Sequence, residues 1–325
     1  MKYLRIIIFL MISNLAAAQF VGTPYIVKKV PIVKLISVVP VYATTSTPTD
    51  FSCVLTGSVI NYGSSPLVEY GFYYGKDLLS NATKVISNNF TSGTFSVTIT
   101  STGNSNLMYD SSYPKYYVQA YAKNTSGIDY DSSSSLTFQN VPTMKFGGFT
   151  WIDRNLGASS YAVSTTDINS YGFYYQWGRG NDGHQIINSD AINGPSGTSY
   201  PATPYFYKSS SNWGPQNTNL WTASSSNNPC PSGFRVPNQG EMSTLTASAA
   251  TSADILFTNA SSRVPLTGYR SGSNGIYYDK NSNGYYWTAI TETTQNWSAA
   301  FYIVSSWRAQ WFIRATGMPV RCILN

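Results

Sequence analysis

Short runs of alternating apolar and polar residues recur along this chain and break at Gly, Pro, Asn and Ser. In the first half, Phe51-Ser52-Cys53-Val54-Leu55 alternates and then meets Gly57. The run 68–74 follows a Gly/Ser/Pro turn, and 93–99 alternates again. A fourth run, 116–122, leads into Asn124-Thr125-Ser126-Gly127, and a last one lies near 136–138. A period of two sends successive side chains to opposite faces of a sheet. Several such runs with turn residues between them predict an antiparallel β-sandwich.

The second half reads differently. Residues 144–152 predict a hairpin with Gly147-Gly148 at its turn. Residues 181–228 have no clear period and are rich in Asn, Ser, Gly and Pro; loops of that length are usually functional or wrapped on the surface. Asn238 followed three positions later by Glu241 predicts a capped helix start, with the helix running to about Ala249. The terminal segment 284–324 predicts strands over 285–290, 299–304, 310–315 and 320–324. Between the second and third of these, residues 305–309 read as a connection carrying Trp307 and Arg308. The fold class expected is mainly β with minor α: an antiparallel sandwich followed by an α+β domain.

Composition sharpens this picture. With 325 residues the chain can hold two domains, each with a sizeable core. Charged residues are 10% and aromatics 15%, the reverse of a disordered composition. The net charge of +6 is spread without a Lys/Arg cluster, so no nucleic-acid partner is expected. Met1 to Arg5 is basic, 6–12 is apolar, and Ala16-Ala17-Ala18 is small, the pattern of a cleaved export signal over 1–18. That apolar run is too short to span a bilayer, and no later stretch is long enough. A secreted, periplasmic or surface location is expected, with no membrane span. An extended lead-in over 19–33 contains two prolines, which discourage helix. Residues 19–141 carry seven Lys and no Arg, whereas 142–325 carry eight Arg and three Lys, and every Trp lies at or after Trp151. A boundary between 34–141 and 142–325 follows from that shift.

Three cysteines in an exported chain call for pairing. Cys230 and Cys322 lie in the same half and can close one disulfide; Cys53 alternates with Phe51 and Leu55 and reads as a buried, inert thiol.

Two resemblances rest on these motifs. Glu69-Tyr70-Gly71-Phe72-Tyr73-Tyr74, Gly93-Thr94-Phe95-Ser96-Val97 and the run 116–124 are similar to fibronectin type III-like domains of exported bacterial surface proteins. That likeness implies a spacer or adhesive module in which Tyr116 or Tyr117 pins a corner. The second half resembles the Fibrobacter succinogenes major paralogous domain family. The motifs are Asn155-Leu156-Gly157-Ala158, Tyr174-Tyr175-Gln176-Trp177-Gly178-Arg179, Cys230-Pro231-Ser232-Gly233-Phe234-Arg235-Val236-Pro237, Gly268-Tyr269-Arg270, Tyr285-Tyr286-Trp287 and Val320-Arg321-Cys322. Phe234 stands where that family more often has Trp. The likeness implies a C-type-lectin-like fold with a disulfide near its end.

Candidate chemistry is sparse. His184 is the only histidine, so Ser-His or Cys-His catalysis would rest on it alone. Eight acidic residues in the second half form no paired motif for a glycosidase, and no multi-ligand His/Cys set exists for zinc. Formylglycine-generating enzymes share the lectin-like fold but need cysteine chemistry that this half lacks once its disulfide forms. The Glu-Pro-Asn and Gln-Pro-Asp tripeptides of calcium-dependent lectins are missing, and Asp279 to Asn283 reads as a polar turn. No catalytic residue, metal or cofactor is expected. Trp151, Trp177 and Trp287 read as core, and Arg314 and Arg321 as makers of structural hydrogen bonds. Trp297, Trp307, Arg308 and Trp311 are the expected ligand-binding residues, because an indole offers an apolar face and a polar N–H to a sugar ring or a partner protein. The function expected is recognition of a glycan or surface protein; the alternative is a structural surface or matrix component.

Overall fold

The protein, seen in a computed structural model, is described over residues 27–78, 81–131, 136–194, 203–209, 219–245, 262–291, 297–303 and 307–325. It is mainly β, with several antiparallel sheets and, among the described residues, a single short α-helix. Two sheets face each other in the first half. One has strands in the order Ile32–Val41, Ser52–Asn61, Thr94–Thr100 and Asn89–Thr91. The other runs Thr83–Ile86, Leu67–Gly75, Lys115–Asn124 and Gly127–Tyr130, with Thr137–Gln139 also paired to Lys115–Asn124. Their inner faces share one core that includes Leu35, Cys53, Leu55 and Phe95 from the first sheet and Phe72, Tyr116 and Val118 from the second. The period-two pattern is therefore the sandwich pattern, one face in and one out.

Ile32–Val41 begins inside the expected lead-in and contains Pro40 opposite Cys53. It lies at the outside of its sheet, where a missing N–H costs no ladder bond. Tyr116 is buried and stacked on Phe138 at 5.1 Å, whereas Tyr117 is exposed on the outer face.

In the second half the hairpin Thr143–Phe146 and Phe149–Ile152 turns on Gly147 and Gly148, both with positive φ (58° and 85°). Two successive left-handed residues match the right-handed twist of the flanking strands, and Gly adopts them without strain. This hairpin joins Ile323–Leu324 and Phe234–Arg235 in one sheet. A second sheet holds Tyr175–Gln176, Gly317–Met318, Tyr269–Arg270 and Tyr277–Tyr278. The disulfide joins Cys230 to Cys322, with Cα atoms 6.0 Å apart, and Cys322 lies in the core beside Trp177, Trp287 and Val320.

The helix is Gln239–Thr244. Asn238 Oδ1 accepts from Glu241 N at 2.9 Å and Glu241 Oε2 accepts from Asn238 N at 2.8 Å, a complete capping box. Arg235 pairs with the same carboxylate. The expected continuation to Ala249 falls on residues outside those described, as do the export signal and Trp213.

The halves meet along a seam. Ala43 N donates to Thr143 Oγ1 at 2.9 Å and Lys145 N to Thr45 O at 2.7 Å. The Arg154 guanidinium sits 4.0 Å from the ring centre of Tyr109, whose hydroxyl is 3.0 Å from Ala158 O. Tyr113 and Val141 belong to the same core cluster as Trp177 and Phe234.

Candidate functional site

The terminal segment forms a three-stranded antiparallel sheet in the order Gly284–Thr291, Trp297–Ile303, Trp307–Ile313. This corrects the expected connection at its residues 307–309. Trp307, Arg308 and Ala309 are strand residues, and Trp297 opens the middle strand. Pairing runs without interruption from Trp297↔Ile313 to Ile303↔Trp307. The alternation Trp307, Ala309, Trp311 is a strand pattern that begins before the expected start at Gln310.

Register then separates the four expected site residues. Neighbours in a strand belong to opposite faces. Positions 297, 307 and 311 fall on one face of the pair, and position 308 on the other, opposite Tyr302. The second face carries Ala300, Tyr302 and Phe312 toward the core, where the Tyr302 ring lies 4.7 Å from Tyr285. Trp307 and Arg308 are thus not a joint patch made by adjacency. The side chains of Trp297 and Trp307 lie outside those described. Those of Arg308, Ala309, Gln310 and Trp311 are exposed, on a strand that forms the outer edge of its sheet. Trp311 stands out, because an indole 40% exposed has apolar surface still to cover.

His184 is the next candidate, and its surroundings decide its role. It is wholly buried. Its Nε2 accepts the backbone N–H of Gln176 at 3.0 Å, so Nδ1 carries the proton and donates it to Asp182. Burial is the main force on its pKa, bringing it down to about 4, and the neighbouring carboxylate only partly opposes this. Burial pushes the Asp182 carboxyl up, but the His184 ring and the Arg179 guanidinium outweigh that and hold it below its ordinary value. Arg179 completes the network, with Asp182 Oδ2 at 2.8 Å, Gln176 Oε1 at 2.8 Å and Thr203 O at 2.7 Å. The histidine does meet a carboxylate, but in the interior and with both ring nitrogens engaged. It braces the loop after Tyr175–Gln176.

The remaining expectations fall on scaffold. Trp151, Trp177 and Trp287 are buried. Arg321 is buried, donating to Asn155 Oδ1 at 3.1 Å, Ile152 O at 3.2 Å and Arg263 O at 2.7 Å, and Arg314 is buried with its guanidinium 4.8 Å from the Trp177 ring centre. Asp279 accepts from the Tyr285 hydroxyl within a turn whose Asn283 N returns to Asp279 O at 3.0 Å. Among the described residues, no three His, Cys, Asp or Glu side chains gather as a metal site.

Sequence reading missed two features. One is a cavity of about 190 Å³ on the seam, which no motif announces because its walls come from four separate stretches of chain. The other is a tyrosine cluster on the outer face of the sandwich, with Tyr73 5.2 Å from Tyr121 and 5.9 Å from Tyr130. Its signal was legible as odd-numbered tyrosines in the runs 68–74 and 116–122. Comparison with known proteins finds no matching family model, no matching curated protein and no matching solved structure.

Proposed function

We propose that this is an exported recognition protein that holds a glycan or another surface protein without chemically altering it. The observation that carries this reading is the exposed run Arg308 to Trp311 on the outer edge of the terminal sheet. An edge strand has unpaired backbone groups to offer, and Trp and Arg are the side chains that most often anchor interfaces. Two further observations support it. The only histidine is sequestered in a structural network, leaving no described His-based acid–base pair open to a substrate. The Cys230–Cys322 disulfide suits an oxidising compartment, in agreement with the export signal read over 1–18.

The test is binding of the full mature chain to a glycan array and to intact cells, compared with Trp311→Ala and Arg308→Ala. Loss of a buried aromatic anchor costs about 2 kcal/mol or more, so Trp311→Ala should weaken binding by at least roughly thirtyfold. Binding that survives both substitutions unchanged removes the edge strand from the interface.

A further inference from the structure

The seam between the halves holds a cavity of about 190 Å³ that is open to solvent and distinct from the terminal sheet. Such a volume is below the roughly 300–1,000 Å³ of pockets for drug-sized ligands and fits a single small ring. Its walls combine apolar and neutral polar surface. Tyr113, Phe173 and Tyr175 supply aromatic surface, and Ser111, Asn181 and Gln185 supply hydroxyl and amide groups. None of the residues that line it carries a charge.

Three details make this more than a packing gap. Gln185 is buried, its Oε1 accepts Gly183 N at 3.0 Å, and among the described residues nothing accepts from its Nε2. That nitrogen keeps some accessible surface although the residue as a whole is buried, so it is a donor that water or a ligand can take. Tyr113 is held at φ 47°, a left-handed conformation that costs a bulky residue about 1–3 kcal/mol. That conformation follows the turn closed by Tyr113 N and Asp110 O at 2.9 Å and leaves the ring buried at the cavity wall. Asn181, by contrast, is already engaged: its Oδ1 accepts from Tyr175 at 2.6 Å and its Nδ2 donates to Pro229 O at 3.0 Å, so it is pre-set rather than free to turn.

We infer that this seam cavity binds one neutral sugar ring, with a C–H face against Phe173 and Tyr113 and a hydroxyl accepting from Gln185 Nε2. The chemistry selects the class. With neither a cation nor an anion in its lining, a carboxylate, phosphate or amine would enter without an opposite charge to offset its desolvation, which favours a neutral ligand. A ligand with an apolar face and neutral hydroxyls answers both the rings and the unpaired amide. Because Ser111 and Tyr113 come from one half of the chain and the other lining residues from the other, the site exists only while the seam is closed.

Saturation-transfer NMR on the full mature chain tests this, using glucose, galactose, mannose and N-acetylglucosamine, with glucuronate and ethanolamine as charged controls. Saturable transfer to at least one neutral sugar is expected. Gln185→Leu should weaken it by roughly tenfold, the equivalent of one lost hydrogen bond. Phe173→Leu should weaken it similarly by removing the ring, and Trp311→Ala should leave it unchanged. The unfolding midpoint of each variant reports whether it is folded; if Phe173→Leu is not, Gln185→Leu decides. No binding of any neutral sugar, equal binding of either charged control, or binding indifferent to Gln185→Leu overturns the inference. Binding abolished by Trp311→Ala also overturns it and returns the sugar to the terminal sheet.

Discussion

Trp151, Trp177, Trp221 and Trp287 bring their indole N–H groups into the interior, and each reaches a carbonyl: Phe146 O at 3.0 Å, Thr288 O at 2.9 Å, Arg179 O at 3.0 Å and Tyr175 O at 2.7 Å. Large apolar area is buried with the polar handle satisfied, which is why Trp suits this core. His184 obeys the same rule but is titratable, so its burial has a pH signature. Its folded pKa of about 4 is below the ordinary 6.5, and between those values the unfolded chain takes up a proton that the folded chain refuses. The stability it contributes is therefore complete above about pH 6.5 and is lost as pH falls toward 4, by about 3 kcal/mol. Urea unfolding at several pH values should show that slope, and His184→Asn should flatten it. Cys53 gives a second reading at this scale. Burial, the dominant cause, pushes its thiol up to about 12 and leaves it free of any disulfide. A disulfide reagent at pH 8 should label native protein at least about a hundredfold more slowly than unfolded protein. Equal rates would place the thiol outside the core.

Among elements, the helix Gln239–Thr244 is too short to stand on propensity. Its stability comes from the reciprocal Asn238–Glu241 cap, from Arg235 on the same carboxylate, and from Met242 packed against Trp151 and Tyr286. Asn238→Ala should cost about 1 kcal/mol in denaturant unfolding, and Asn238→Asp much less, because a carboxylate caps as well. The terminal sheet shows how element boundaries carry functional meaning. Moving the last strand's start from 310 back to Trp307 places Trp and Arg on opposite faces and leaves Trp311 and Arg308 as separable contributions.

At the scale of the molecule, the halves share buried surface rather than a bare linker. Tyr42 meets Phe234 edge-on at 5.8 Å, Ser232 N donates to Gln139 Oε1 at 2.9 Å, and Arg154, bidentate on Asp153, covers Tyr109. The disulfide adds a constraint that spans 92 positions in sequence. Closing a loop of that length stabilises the fold by roughly 4–5 kcal/mol in the chain-entropy description. Reduction, or a Cys230→Ser/Cys322→Ser pair, should lower the unfolding free energy by about that much. A change under about 1 kcal/mol would mean that packing alone holds Cys322 and its neighbours in the core.

Local pattern was enough to read five strands of the sandwich, the Gly147-Gly148 hairpin, the Asn238 cap, the Cys230–Cys322 pair and the mainly β class. Apart from the disulfide, which followed from there being just two cysteines in that half, each depends on neighbours in sequence or on a residue with one strong conformational preference. Ile32–Val41 escaped because Pro31 just before it and Pro40 within it mask an edge strand, and Trp307 escaped because two serines before it resemble a turn. What only the tertiary structure decided is where chemistry can occur. Burial and hydrogen bonding at both nitrogens turned His184 from a candidate base into a brace, and strand register divided Trp311 from Arg308. The seam cavity was invisible in the chain because Ser111 and Tyr113 lie far in sequence from Phe173 and Gln185. Their convergence is a property of how the two halves meet in one shared core, and no periodicity within either half encodes it.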